Sequence, residues 1–229
     1  RQEAQAIIEK MTQPGSPSPG IVFLALNDNE AIQFMVAMDE AGQKYPLLAA
    51  YDQGDANFAK KFKRDDPGFA KFFADYLKKH EQPVQLTDGL IAFSPIVYDV
   101  ANNRARDFYN TYINDYKEEP TWLGATTYDA LLVAWDALDK TKATGASKTI
   151  GIERKKIRDY LASIKGFDKA LEEGLTGPIY FDADRNFSQP PTFGIFRNGN
   201  FVSAPIQLRP VPDKRLISDL DAALKSGDV

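Results

Sequence analysis

Three short apolar runs, separated by helical patterns, constrain the fold of this chain more than any other feature. They have the length of strands and lie at residues 21–26 (IVFLAL), 47–50 (LLAA) and 90–93 (LIAF). A continuous apolar run of this length is typical of a parallel strand that is buried on both faces. Strands that alternate with helices indicate a parallel sheet with right-handed crossover connections. The sequence therefore predicts an α/β layer over residues 21–93.

Local signals place the helices of this layer. Apolar residues at helical spacing predict one helix over residues 2–12 and another around residues 69–76. Asn27 is followed three residues later by Glu30, which is the pattern of a capping box at a helix N-terminus. Gly42 is a typical stop for the helix that Asn27 begins.

The pattern changes after residue 100. Residues 100–170 carry three helical stripes, and only residues 178–181 read as a short strand before residue 190. Helices need a partner surface, so this segment is expected to cover a sheet that is supplied by something else. Two further strands, residues 192–196 and 201–208, flank an Asn-Gly turn and predict a β-hairpin.

Composition excludes several classes of protein. The chain has 229 residues, a formal net charge of −4 and no cysteine. A nucleic-acid-binding protein would normally show a basic surface, and the lack of cysteine excludes disulfides, thiolate metal sites and cysteine nucleophiles. His80, the one histidine, is predicted to be a solvated residue at a helix end. We expect no cofactor, no metal and no membrane-spanning run, and we expect that sequence upstream of Arg1 has been removed.

Polar residues follow each of the three predicted strands. They are Asn27-Asp28, Tyr51-Asp52 and Ser94-Pro95. Ligands of open α/β sheets bind beyond the carboxyl ends of the strands, where these residues would lie side by side. Asn27, Asp28 and Asp52 are equally suited to capping a helix or forming a turn. In the functional interpretation, a carboxylate at this edge binds a cationic group of a ligand.

One acidic pattern is similar to a calcium site. Asp182, Asp184 and Asn186 have the spacing of the first ligands of a calcium loop, but Phe187 and Phe193 stand where Gly and Glu are required, so a polar turn is favoured.

Two tryptophans also lie outside the strand-end loops. Trp135 lies on one helical face with Tyr128 and is predicted to be core, whereas Trp122 lies off that face and stays open as a ligand-stacking residue.

Several segments, in order, resemble the type I periplasmic binding proteins, in particular the Leu/Ile/Val-binding receptors. The resemblance covers about residues 1–208. The segments are residues 21–42, 45–54 (YPLLAAYDQG), 89–95 (GLIAFSP), 107–138 with the sequence ATTYDA, 175–184 (LTGPIYFDAD) and 193–202 (FGIFRNGNFV).

The resemblance implies two α/β lobes that close over a ligand. Residues 1–98 and 192–208 would form lobe two, and residues 100–190 would be the C-terminal part of lobe one. The sheet of lobe one would come largely from a missing N-terminal half, and residues 209–229 would be a linker and helix to a further segment. Asp52 matches the family's acidic residue for the ligand ammonium, and Asn27-Asp28 matches a pocket loop, although the family's tyrosine in that loop is absent.

The leading functional hypothesis is non-catalytic binding of a small solute, an amino acid or a related small molecule, in the cleft between the lobes. The protein would serve an ABC transporter or act as the sensor domain of a receptor, in the periplasm or outside the cell. Its predicted ligand residues are Asn27, Asp28, Tyr51, Asp52 and Trp122. Its expected partners are the missing N-terminal half or a second copy of the chain, and a membrane permease or receptor. The alternatives are a hydrolase-like enzyme that uses Asp28 and Asp52, and a purely structural interaction domain.

Overall fold

The computed structural model describes residues 2–171, 173–187 and 191–207, and these divide into two compact units. The first unit combines residues 2–97 with residues 192–207, and the second runs from residue 98 to residue 191. The assignment of these units to the two predicted lobes stays a prediction. The predicted linker and helix at residues 209–229 lie outside the described residues.

The first unit is built on a single mixed sheet. Its described strands are β1 (Val22–Leu24), β2 (Leu47–Ala49), β3 (Ile91–Ser94), β4 (Thr192–Arg197) and β5 (Asn200–Ser203), in that spatial order. β1, β2 and β3 are parallel, and β4 and β5 pair antiparallel, which confirms the predicted α/β layer and hairpin. Asn198 and Gly199 both have positive φ, the backbone conformation that a tight hairpin turn requires.

Five helices accompany this sheet in the described part of the chain. They are α1 (Gln2–Met11), α2 (Asp28–Glu40), α3 (Ala56–Lys60), α4 (Pro67–Phe72) and α5 (Ala74–Lys79). α2 begins with the predicted capping box, in which Asn27 and Glu30 exchange hydrogen bonds between side chain and backbone. The single helix expected around residues 69–76 is instead two short helices that meet at Phe73, whose φ of −125° and ψ of 28° are not helical.

The sheet buries only one of its faces within this unit. Leu24, Ala49, Ala92 and Phe196 lie in the buried core with residues of α1 to α5. The other face carries the row of paired residues Phe23, Leu48, Ile91, Ile195 and Val202. None of this row belongs to the core cluster, and Phe23 is 55% exposed. The prediction that the strands are buried on both faces is therefore wrong for the first unit, because Phe23 is exposed and the other four residues of the row are only half-buried on this face. We call it the open sheet face.

The second unit is helical. Its helices are α6 (Asn103–Tyr116), α7 (Trp122–Thr141) and α8 (Ile150–Leu161). The strand predicted at residues 178–181 is present only as isolated bridges, which pair Ile179 with Leu171 and Phe181 with Lys165 and Phe187. No helix among residues 2–171, 173–187 and 191–207 is both long and apolar enough to cross a lipid bilayer.

One face of α7 is apolar and exposed. Tyr128, Leu131, Trp135 and Leu138 share it, and Trp135 is 74% exposed. The prediction that Trp135 is core is wrong for the described chain, because residues 98–171, 173–187 and 191 contain no strand to form a sheet against it. We call these four residues the α7 stripe.

A buried aspartate links α7 to residues 175 and 176 in the second unit. Asp129 on α7 is 5% exposed and accepts hydrogen bonds from the backbone N–H of Leu175 at 2.6 Å and of Thr176 at 2.9 Å. The Thr176 hydroxyl donates a third bond at 2.7 Å. A side chain at Gly174 would place its Cβ 2.6 Å from the Asp129 carboxylate, so glycine is required for this close approach.

Glu153 on α8 has a similar role at the loop before its helix. Its carboxylate accepts from the N–H groups of Thr144 and Gly145 and from the hydroxyls of Thr144 and Thr149. These hydrogen bonds, with the Gly145 N–H first, lower the pKa of Glu153 below its ordinary value.

We expect Glu153→Gln to lower the melting temperature at neutral pH, because an amide cannot accept all four bonds. A carboxylate whose pKa is lowered by folding stabilises the protein above its unfolded pKa, and this contribution is lost as pH falls through the folded value. The difference in melting temperature between wild type and variant should therefore shrink below about pH 4. Thermal denaturation at pH values from neutral to below about 4 measures this difference in melting temperature, and Glu118→Gln, at an exposed position, is the control. A difference that does not change with pH would contradict the stabilising role of the Glu153 carboxylate.

Candidate functional site

Two of the predicted ligand loops leave the same edge of the sheet. Leu24 at the end of β1 pairs with Ala49 at the end of β2, and the Ala50 N–H donates to the Leu24 carbonyl at 3.3 Å. Because β1 and β2 are parallel, the residues after Leu24 and after Ala49 emerge together. This strand-end edge is the place where open α/β sheets bind their ligands.

Asn27 and Asp28, in the first loop, are both occupied by internal hydrogen bonds. Asn27 Oδ1 accepts from the Glu30 N–H at 3.0 Å, which is the capping role. Asp28 Oδ1 accepts from Gln53 Nε2 at 3.0 Å, and its Oδ2 pairs with the ammonium of Lys61, which follows α3. Both carboxylate oxygens of Asp28 are thus engaged within the protein.

Tyr51 and Asp52, in the second loop, are exposed. They lie with Gln53 in a 3₁₀ turn, Tyr51–Gln53. The Tyr51 ring is 6.3 Å from the ring of Phe93 on β3, centre to centre. Among the described residues, no group donates a hydrogen bond to the Asp52 carboxylate or forms an ion pair with it. Asp52 is therefore a carboxylate available to a ligand.

Gln53 was not singled out from the sequence, and it is fully buried. Its Nε2 donates to the Leu26 carbonyl at 3.0 Å and to Asp28 at 3.0 Å, so it links the two loops. Its Oε1 is buried and has no donor among the described residues. A glutamine in a polar turn is usually exposed, so nothing in the sequence indicated that Gln53 is buried.

The next residues fix the loop against the sheet. A Cβ on Gly54 would lie 1.9 Å from the Phe93 carbonyl oxygen, so the backbone there touches β3 directly. Asp55 then caps α3 by accepting from the Asn57 N–H at 2.8 Å. Burial raises the pKa of Asp55, and the nearby charge of Asp28 raises it further.

The third strand end has a structural role. Ser94 is buried, and its hydroxyl donates to the Ile96 carbonyl at 2.8 Å. Trp122, the remaining predicted ligand residue, begins α7 in the second unit and is half-buried there. The structure thus brings Asn27, Asp28, Tyr51 and Asp52 to one edge and describes Trp122 in the other unit.

His80 lies in a groove of about 560 Å³ that is also lined by Leu47 and Leu90, near the starts of β2 and β3. It is not simply a solvated helix end: its ring stacks on Tyr76 at 3.9 Å, and its Nδ1 is 3.6 Å from Asp39. Asp39 also accepts a 2.7 Å hydrogen bond from the Tyr76 hydroxyl, and burial raises the pKa of that hydroxyl.

The acidic triplet weighed as a calcium loop forms a turn. Asp182 accepts from the N–H groups of Asp184 and Asn186, each at 2.8 Å, and its pKa is lowered by these bonds, that from Asn186 first. Its oxygens serve the turn itself.

No family model and no curated protein matches the sequence, whereas several solved structures match the fold of the chain. A leucine-binding protein, LivK, from Thermotoga maritima matches 91% of this chain with a TM-score of 0.65 and 17% identity. LivJ from Streptococcus pneumoniae, a branched-chain amino acid transporter substrate-binding protein in complex with isoleucine, matches 90% with a TM-score of 0.64 and 21% identity. The chain has the fold of the type I periplasmic binding proteins.

A third structure widens the range of ligands within this fold. A solute-binding protein of an ABC transporter from R. palustris, in complex with benzoate, matches 93% of the chain with a TM-score of 0.59 and 18% identity. In all three cases the chain spans about half of the matching protein, 48% of its length. The resemblance inferred from the sequence is confirmed at the level of the fold, and the individual ligand residues stay predictions.

We expect Gly54→Ala to destabilise the first unit by about 1–3 kcal/mol, because the new methyl group must displace either the loop or the β3 backbone. Gly20→Ala is the matched control, since a Cβ there meets nothing within 4 Å. Chemical denaturation of both variants measures the difference. Equal stability of the two variants would show that the loop is not held against β3.

Proposed function

We propose that this chain is part of a non-catalytic receptor for a small solute, with an amino acid as the ligand. The observation that carries the proposal is the exposed carboxylate of Asp52 at the carboxyl end of a parallel strand, without a partner among the described residues. In open α/β folds this edge is the usual ligand site. A carboxylate there favours a ligand with a cationic group.

The neighbouring carboxylate supports the choice of Asp52. Asp28 lies on the same edge, but Lys61 and Gln53 already engage both of its oxygens. We therefore propose that Asp52 binds the ligand ammonium. Tyr51 and Asn27 are exposed beside it and are proposed as further contact residues.

The ligands of the matching structures narrow the chemical class of ligand that we propose for this chain. The proteins of this fold include a leucine-binding protein, a protein in complex with isoleucine and a protein in complex with benzoate. Benzoate is an anion without a cationic group, whereas leucine and isoleucine carry an ammonium. Because a free carboxylate at the edge repels an anion, Asp52 favours the amino acids over aromatic acids.

An enzyme that uses Asp28 and Asp52 is less well supported. A general base or nucleophile must be free to reach the substrate, and Asp28 is held by two internal partners. His80 lies in the groove with residues from the starts of β2 and β3, away from the strand-end residues Leu24 and Ala49. The matching structures are binding proteins, which favours binding without turnover.

The biological setting follows from this proposal. A receptor of this fold would deliver its ligand to an ABC transporter or act as the sensor domain of a larger receptor. Either role places the protein in the periplasm or outside the cell.

We expect Asp52→Ala to weaken binding of leucine or another amino acid and to leave the fold intact, because its side chain makes no internal contact that the fold needs. The loss of a hydrogen bond to a charged group corresponds to about 1.5–3 kcal/mol, which weakens binding by about tenfold or more. Thermal shift against an amino-acid panel measures saturable stabilisation. Asp65→Ala, another exposed aspartate of the first unit, is the control.

Two results would count against this proposal. An Asp52→Ala variant that binds as tightly as wild type would exclude the assigned role of Asp52. Chromatographic loss of the ligand on incubation with the protein would show turnover and favour the enzyme.

We also propose that the open sheet face and the α7 stripe are covered by the remaining half of the receptor. On the first surface Phe23 is exposed and the other four residues of the row are half-buried, and on the second surface all four aromatic or aliphatic residues are exposed. Exposed apolar patches of this kind mark interaction surfaces on soluble proteins. Parallel sheets of α/β proteins carry helices on both faces, and helices such as α7 pack against a sheet. The matching proteins are about twice as long as this chain, so a receptor of that length has enough further residues to cover both surfaces.

In the chain alone, we expect Trp135→Ala to change the free energy of unfolding by less than about 0.5 kcal/mol, as for an ordinary surface substitution.

Trp135→Glu should prevent assembly with a partner, whereas Lys140→Glu, exposed on the same helix, should not. Gel filtration with mass spectrometry of the purified material measures assembly and distinguishes a second copy from a different polypeptide. A lone monomer that binds leucine tightly would contradict the proposed cover.

A further inference from the structure

The two ligand loops are joined by one side chain. Gln53 lies in the loop after β2, and both acceptors of its amide, the Leu26 carbonyl and the Asp28 carboxylate, lie in or just after the loop that follows β1. These groups are 27 and 25 residues away along the chain. A single buried amide therefore fixes the position of one loop relative to the other.

The choice of glutamine at this place is not explained by packing. Gln53 is fully buried, and its Oε1 has no donor among the described residues. A buried carbonyl without a hydrogen bond is unfavourable, and an apolar side chain of the same length would avoid it. The amide contributes only through its two N–H donors, and both donate to acceptors of the first loop, the Leu26 carbonyl and the Asp28 carboxylate.

Asp28 is the centre of this link. One of its oxygens accepts from Gln53 and the other pairs with Lys61, at the C-terminal end of α3. The loop after β1, the loop after β2 and α3 are thus tied to a single carboxylate. The backbone contact of Gly54 with the Phe93 carbonyl adds β3 to the same arrangement.

The orientation of Asp52 depends on its neighbour. Asp52 and Gln53 are successive residues of the 3₁₀ turn Tyr51–Gln53. With about three residues per turn, successive side chains point about 120° apart. As long as Gln53 is held inside the protein, Asp52 is directed to the outside.

We infer that Gln53 and Asp28 are positioning residues, which hold the two loops together so that Asp52 is presented to the ligand. This role of Asp28 differs from direct ligand contact, which the sequence predicted for it. The inference rests on the proposed function for its ligand, and the link between the loops stands on the geometry alone.

The experiment uses Gln53→Met in the full chain, with exposed Gln85→Met as the matched control. Hydrogen exchange followed by mass spectrometry reports on residues 25–31 and 50–57, and calorimetry with leucine reports on binding. We expect exchange in both loops to rise by about tenfold or more relative to the control, with little change in α2 beyond Gln33. Leucine affinity should fall by a similar factor while the melting temperature stays close to that of the control.

Two outcomes would overturn the inference. Unchanged exchange in either loop would show that Gln53 does not link them, and a uniform rise across the whole first unit would show a general structural role. If Gln53→Met does not fold, Lys61→Met tests the inference instead. It removes the ion pair with Asp28, and Lys61 is half-exposed, so the substitution should be tolerated by the fold. Exchange must then rise in residues 25–31, and an unchanged rate there would equally overturn the inference.

The two proposals fail in different ways. If wild-type protein does not bind leucine, the amino-acid proposal fails, and hydrogen exchange still decides whether the loops are linked. If wild type binds leucine and Gln53→Met binds it equally well despite faster exchange in the loops, the positioning role fails and the proposed function stands.

Discussion

The parallel pairing of β1, β2 and β3 is the constraint on which the first unit depends. Leu24 pairs with Ala49, and Ala49 pairs with Ala92, so the residues that follow β1 and β2 leave the sheet at one edge. Small alanines on two of these strands let the helices approach the sheet closely, and all three residues are buried. The loops that carry Asn27 and Asp52 are neighbours because of this register, although 25 residues separate them in the sequence.

The features that the sequence predicted well are those determined by local chemistry. A capping box needs only residues 27–30, and a hairpin turn needs only an Asn-Gly pair between two strands, so both could be recognised without knowledge of the fold. The strand ends could be located for the same reason. The break between α4 and α5 at Phe73 has no such signal, because the apolar pattern of residues 69–76 continues through it.

The remaining features depend on what lies opposite a residue in space. Gln53 is buried because Leu26 and Asp28 receive its amide, and neither lies within 20 residues of it in sequence. Trp135 and Phe23 have the periodicity of core residues, but periodicity shows which side chains share a face and not whether anything covers that face. The apolar pattern therefore identified residues that share a face, whereas their burial could not follow from this chain alone, and a packing role for these faces stays a prediction.

The position of β1 has a consequence for how such a chain behaves on its own. β1 is the first strand of the described sheet, so only one side of its backbone is paired within that sheet. An edge strand of this kind is a template to which another extended segment can add by main-chain hydrogen bonds. Its length of three residues limits this tendency, but the exposed ring of Phe23 increases it. The same edge that would let a sheet grow by one strand in a longer protein is thus a place where separate copies could pair and begin to aggregate.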